Sequence, residues 1–191
     1  AENRHIRAAL HAAVARQSNL ELLAPASVKS LTVEAGRAVA RLANGEEISA
    51  ALVIAADGRD SPLRGHMGVQ VIGWSYPQTG IVATVEHEHP HNGAAYEHFL
   101  PSGPFAILPL TGNRCSIVWT ETAREAERMV ALGDEEFHAE LEKRFGLHLG
   151  DLKVTGARRA FPLGLFTALA FVAERLALVG AAASWLSEPN G

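Results

Sequence analysis

An aspartate, a glycine and an arginine with chemical potential follow a short apolar run in Ala51-Leu-Val-Ile-Ala-Ala56-Asp57-Gly58-Arg59-Asp60-Ser61-Pro62-Leu63-Arg64. Asp57 can accept hydrogen bonds from sugar hydroxyls or from local amides, and Gly58 lets the backbone come close to a ligand. Arg64 can pair with a phosphate or hold the turn. Such groups gain a purpose where a strand ends at a helix N-terminus, because ligands of open α/β sheets lie outside the carboxyl ends of the strands. A second cluster, His87-Glu88-His89-Pro90-His91 with His98 nearby, would put three imidazoles on one face of a strand and suggests zinc or nickel. Pro90 breaks that strand and no second group of ligands accompanies it, so the expectation is a solvated loop and no metal.

The elements that must position these groups follow from the flanking pattern. Ala51–Ala56 reads as a strand buried on both faces. Ser61 is its helix N-cap, Pro62 the first helical residue, and Gly68 the stop. Upstream, Asn3–Arg16 predicts a helix with Ile6, Leu10, Ala13 and Val14 on one face. Val28–Glu34 and Arg37–Leu42 alternate as strands, with turn signals at Ala35-Gly36 and Asn44-Gly45, and Glu46–Ala50 leads into the buried run. Downstream, Ile81–Glu86, Ala95–Leu100, Phe105–Leu110 and Cys115–Thr120 read as a mostly antiparallel sheet with a tight hairpin at Gly112-Asn113. Thr122 caps a helix to Leu132, and Asp134 caps another that carries Phe137, Leu141 and Phe145 at i, i+4, i+8. A last strand covers Leu152–Phe161, with Arg158 and Arg159 within it. The fold class is therefore α+β.

Composition describes an ordinary globular chain. With 191 residues and 48% hydrophobic content it can bury a core of one domain, or one and a fraction. A net charge of −4 points away from nucleic acid. The single cysteine, Cys115, falls in a strand and reads as a buried, inert thiol in a reducing, cytoplasmic setting. No apolar run is long enough for a helical membrane span and no signal peptide is evident, so membrane contact is expected to be peripheral, at the inner face.

The stretch A-A-D-G-R-D-S-P-L-R resembles the A-D-G-x-x-S-x-x-R motif of the flavin-dependent aromatic hydroxylases, the para-hydroxybenzoate hydroxylase family. Tyr76-Pro77-Gln78, His91 to Phe99 and Gly103 to Leu110 resemble, in order, the Y-x-Q, P-H-x-x-x-A-x-E-x-F and G-P-x-A-x-L-P-L motifs of its ubiquinone-biosynthesis branch. The resemblance implies FAD reduced by NAD(P)H, a flavin C4a-hydroperoxide, and hydroxylation of a polyprenylated phenol with O2. It implies a partial FAD-binding α/β portion in residues 1–68, an antiparallel substrate-binding sheet with flanking helices in 69–164, and a return to the FAD-binding portion in 165–191. Cofactor contacts are expected from Asp57, Gly58 and Arg64, from Arg4 by its match to N-R-x-x-L-R-x-x-L, and from Gly180. Arg4 has the alternative of a solvated helix arginine. Pro109, Trp119 and Phe161 are candidates for the substrate face, or ordinary sheet core, and no catalytic side chain is expected, the hard chemistry being the cofactor's.

The chain departs from the family in two places. It contains no G-x-G-x-x-G, the main pyrophosphate cradle. Arg175 to Ser184 resembles R-L-x-L-V-G-D-A-A-H, but Ala181 and Ser184 stand at the aspartate and histidine, and Pro189 comes one place late for the continuation. These departures predict the middle fragment of a longer enzyme, inactive by itself, with a truncated or non-native tail and a tendency to self-associate or to contact a ubiquinone-biosynthesis complex. The alternative is a non-catalytic β-sheet module that binds a quinone or lipid or mediates oligomerisation.

Overall fold

A computed structural model describes residues 3–186 and divides the chain into two units. One comprises residues 13–74 and 164–186, the other residues 3–12 and Ser75–Leu163. Helix α1 (Asn3–Val14) has no buried residue, and Ile6 and Leu10 on its apolar face are exposed.

In the first unit, β1 (Val28–Glu34), β2 (Arg37–Leu42) and β3 (Glu47–Ala50) form an antiparallel meander. Its turns fall at the two glycine-containing dipeptides, as expected. The next strand, β4 (Val53–Ala55), leads into α2 (Pro62–His66). Far along the chain β10 (Val172–Ala173) and β11 (Leu176–Leu178) complete a small sheet in the order β10-β11-β4. Strand β11 runs parallel to β4, with Leu176, Ala177 and Leu178 opposite Val53, Ile54 and Ala55. Leu31, Ala55, Leu63, Leu176 and Leu178 share one core. That core covers one face of β4 only: Ile54 is 60% exposed and Leu52 53%, so the expectation of a strand buried on both faces is corrected.

The second unit is built on a mostly antiparallel sheet. Strands β5 (Val71–His87), β6 (Tyr96–Leu100), β7 (Gly103–Pro109), β8 (Arg114–Thr122) and β9 (Leu152–Ala168) lie in the order β9-β5-β8-β7-β6. The unit boundary falls within β5 and within β9. Strand β5 is longer than the sequence predicts and runs through Pro77. The ladder with β8 begins only at Gln78 opposite Thr122, so the missing proline N–H falls beyond that ladder.

Side chains alternate across the sheet. Ile81, Ala83 and Val85, Phe105 and Ile107, and Cys115, Ile117 and Trp119 are buried on one face. Two helices, α3 (Ala123–Ala131) and α4 (Asp134–Phe145), contribute Ala126, Met129, Phe137, Leu141 and Phe145 to the same core. Phe137, Leu141 and Phe145 fall at the predicted helical spacing and are completely enclosed. Thr122 caps α3 by accepting from Glu125 N at 3.4 Å. The cap of α4 is Gly133 rather than Asp134: the Glu136 side chain accepts from Gly133 N at 3.2 Å, leaving Asp134 to open the helix. Among the described residues no helix is long and apolar enough to cross a membrane. The last short strand, β12 (Ser184–Leu186), pairs with Leu165–Thr167 of β9 in the first unit. Pro189 and the residues around it lie outside the described range.

Candidate functional site

At the carboxyl end of β4 the chain turns through Asp57-Gly58 into α2. Leu63 N donates to Asp57 Oδ2 at 3.2 Å, and Arg64 N donates to the Ser61 hydroxyl at 3.0 Å, the N-cap the sequence predicts. One carboxylate bond to a local amide leaves Asp57, which is exposed, with further lone pairs for an outside donor. Gly58 has φ +90°, and a Cβ placed there would meet no atom within 4 Å. Only glycine takes that backbone angle without strain, and the space in front of it is open.

Gly180 stands in the equivalent place after β11. Val53 N donates to Arg175 O at 2.9 Å and Val179 N to Ala55 O at 3.0 Å, so the two parallel strands stay joined until they reach their turns. Gly180 has φ +57° and again no atom within 4 Å of a Cβ position. Asp57, Gly58 and Gly180 are thus brought together at the carboxyl ends of adjacent parallel strands, where such sheets bind ligands.

Arg64 lies behind this edge. It is only 9% exposed. Its Nη1 donates to Ala182 O at 2.9 Å and its Nη2 to Arg59 O at 2.6 Å. The guanidinium also lies 5.0 Å from the Trp185 ring, which stacks on Phe166 at 5.2 Å. These contacts tie the α2 turn to the 3-10 turn Gly180–Ala182, so Arg64 holds the turn. No local spacing reveals this tie, because Ala182 is 118 residues from Arg64. Arg4 lies in the first turn of α1, exposed, in the other unit.

In the unit Ser75–Leu163 the three substrate-face candidates separate. Trp119 is completely enclosed between Phe105 at 5.9 Å and Phe137 at 5.8 Å, with the Arg144 guanidinium 4.4 Å over its ring. Its Nε1–H donates to Glu121 Oε1 at 2.9 Å, an oxygen that also accepts from Arg144 at 3.4 Å. Trp119 is therefore core, and its proposed place on the substrate face is corrected. Pro109 shares the alternation of Phe105 and Ile107 and so belongs to the helix-covered side. Phe161 is half-buried, two residues before Leu163, whose side chain lies 3.5 Å from a Cβ position on Gly80, on the helix-free side. That side also presents Val82, Thr84, Ala106, Ser116 and Val118, which sequence reasoning passed over. The signal was available in the alternation from Gly80 onward: the buried Ile81, Ala83, Val85, Cys115, Ile117 and Trp119 stand at odd positions, and Gly80, Val82, Thr84, Ser116 and Val118 at even ones.

The segment around His89 and Pro90 is exposed, as a solvated loop requires, while the His87 and His91 rings make structural hydrogen bonds. His87 Nδ1–H donates to His89 O at 2.8 Å, leaving Nε2, 3.3 Å from Cys115 Sγ, to accept the thiol proton. His91 Nδ1 accepts from Gly93 N at 2.9 Å, and its Nε2–H donates to Leu110 O and Gly112 O at 2.9 and 3.0 Å. Burial pushes the Cys115 thiol above its ordinary range, as expected for an inert cysteine.

A family model described as "FAD binding domain" matches residues 8–190. The chain belongs to the FAD binding domain family. Ubiquinone hydroxylase UbiL of Rhodospirillum rubrum is 47% identical across 95% of this chain and 42% of its own length. The 3-demethoxyubiquinol 3-hydroxylase of Escherichia coli K12 is 34% identical across 95% of this chain and 46% of its own. The chain thus spans less than half the length of these curated relatives. Among solved structures, pqsL of Pseudomonas aeruginosa, titled a probable FAD-dependent monooxygenase, superposes with a TM-score of 0.74 at 19% identity. That superposition covers 93% of this chain and 51% of pqsL, and it supports the fold: mixed α and β with antiparallel sheets. Within the FAD binding domain family the edge formed by Asp57, Gly58 and Gly180 suits a polyhydroxylated, nucleotide-like group. The turn after β11 offers only backbone, since Ala181 carries no carboxylate.

Proposed function

We propose that this chain is part of an FAD-dependent aromatic-ring monooxygenase that hydroxylates a polyprenylated phenol in ubiquinone biosynthesis. The observation that carries the reading is the joined ending of β4 and β11, where a carboxylate and two uncovered left-handed glycines converge. The two ubiquinone-pathway hydroxylases described above support the substrate class. When bound and reduced by NAD(P)H, FAD supplies the activation of O2 for transfer of one oxygen atom to the ring.

The chain's own residues bind and orient. Asp57 accepts from a ribose or ribityl hydroxyl while Leu63 N keeps its carboxylate in place. Gly58 and Gly180 let main-chain groups approach the cofactor, and Arg64 fixes the distance between their turns. Arg4 adds a contact from α1. The helix-free face around Phe161 takes the aromatic ring and keeps water from it. Residues 1–68 and 165–191 serve the cofactor and 69–164 the substrate.

Reconstitution of the polypeptide that carries this chain with FAD, NAD(P)H and a prenylated phenol tests the reading. Mass spectrometry should find a product that has gained one oxygen atom derived from labelled O2. FAD titration of the chain with Asp57→Asn should show weaker binding than the unaltered chain. Equal affinity in both would remove Asp57 from the cofactor site, and absence of oxygen transfer by the FAD-loaded protein would remove the activity.

A further inference from the structure

Arg158 and Arg159 are neighbours on β9, so their side chains leave the strand on opposite faces. Arg158 faces the helices: its Nη2 donates to Asp134 Oδ1 at 3.0 Å and its guanidinium lies 4.7 Å over the Phe137 ring. Arg159 is therefore on the helix-free face, and it is exposed. Among the described residues it has no hydrogen-bond or ion-pair partner.

Among the described residues, no acidic side chain stands beside Arg159 on this face of β9 and the adjoining stretch of β5. Thr155 Oγ1 donates to Thr84 O at 3.3 Å and Leu163 reaches Gly80, so Arg159 falls alongside the stretch Gly80–Thr84 of β5. On this face that stretch presents Gly80, Val82 and Thr84, none of them acidic. Glu86 stands across from Arg114 at the far end of the β5–β8 ladder, beyond this stretch. Glu97 is on β6, four strands from β9 and so about 19 Å away at the usual strand spacing. Phe161, two residues along β9, supplies an aromatic surface on the same side, and Gly80 leaves room where a side chain would stand.

We infer that Arg159 is the positioning residue for the oxygen of the phenolic ring. Its guanidinium donates to that oxygen and favours the ionised form, the phenol proton passing to solvent water. Ionisation enriches the ring carbons ortho and para to the oxygen, the ones an electrophilic oxygen attacks. This inference rests on the reading of the helix-free face as the ring's surface.

The test needs no flavin. 4-Nitrophenol, whose ionised form absorbs visible light, is bound to the full chain without FAD and titrated with pH. With Arg159 present the bound probe should ionise about one pH unit below the free probe. Arg159→Gln should abolish that shift, and Arg159→Lys should restore part of it, a pattern that a merely structural arginine would not produce. An equal shift in the unaltered chain and Arg159→Gln, or no binding of the probe to the unaltered chain, overturns the inference. FAD titration of the same proteins separates the two readings. A normal probe shift with no FAD binding leaves Arg159 in place and removes the cofactor reading, while FAD binding with no probe shift does the reverse.

Discussion

Replacing Arg64 by methionine separates a buttress from a ligand contact. Methionine keeps the packed stem and removes both donors. Each lost bond from a charged donor to a carbonyl costs about 1.5–3 kcal/mol, and the loss of a cation over the Trp185 ring adds about 0.5–1 kcal/mol. The sum overstates the effect, because removing the guanidinium also removes the cost of burying a charge that is only 9% exposed. A net loss of about 3 kcal/mol is expected, felt where α2 meets the Gly180–Ala182 turn. Hydrogen exchange reads it locally: Val179 N, bonded to Ala55 O, and Ala183 N, bonded to Gly180 O, should lose protection by about a hundredfold. Arg64→Lys, with a donor at the end of a similar stem, should recover part of that protection. FAD affinity should fall in Arg64→Met only as far as the turn is loosened. Unchanged protection at both amides together with a large loss of FAD affinity would refute the buttress and make Arg64 a direct cofactor contact.

Two further outcomes follow from the sheet unit. Trp119→Phe keeps an aromatic ring in the core but removes the donor to Glu121, a carboxylate 7% exposed, and should lower stability by about 2–3 kcal/mol in urea denaturation. The carboxyls of Glu125 and Glu140 are held below their ordinary value of 4.5, the first by its hydrogen bond to Arg128, the second by those to Lys143 and Arg144. Because the folded values are depressed, this stabilisation is complete above the ordinary carboxyl value and is lost as pH falls through the folded ones. Thermal denaturation from neutral pH down through that range should show a shallow decline, since both groups are near solvent, and Glu125→Gln should flatten it.

Local chemistry was legible wherever one short segment decides the outcome. Ser61, Pro62 and Gly68 bracket α2 as their types require, and Phe137, Leu141 and Phe145 appear at the predicted spacing on the buried face of α4. The cap of α4 moved by one residue because Glu136 reaches back to Gly133, an option that competes with capping by Asp134. The facing of Trp119 could not be read from its type alone, since a large aromatic suits either side of a sheet. Only its alternation with Cys115 and Ile117, under two helices, decides for the core. A histidine spacing of two suits a metal on an unbroken strand, but Pro90 argued against one, and His87 and His91 direct their ring nitrogens to main-chain carbonyls and the Cys115 thiol.

The tie between Arg64 and Ala182 also explains how two adjacent parallel strands can be separated by most of the chain. A βαβ crossover needs a dozen or so residues, whereas here 118 separate the two ends of the tie. Closing a flexible loop about ten times longer costs only about 2 kcal/mol more, because the entropy grows with the logarithm of length. The inserted stretch is itself folded around its own core from Ile81 to Leu149, so the effective loop is shorter and the cost smaller. The about 3 kcal/mol assigned to Arg64 is therefore enough to hold β11 beside β4 against the insertion, and the apolar contacts of Leu176 and Leu178 with Ala55 and Leu63 add to it. Such an edge tolerates a large independent unit between its strands, provided the closing contact is strong and buried, as Arg64 is.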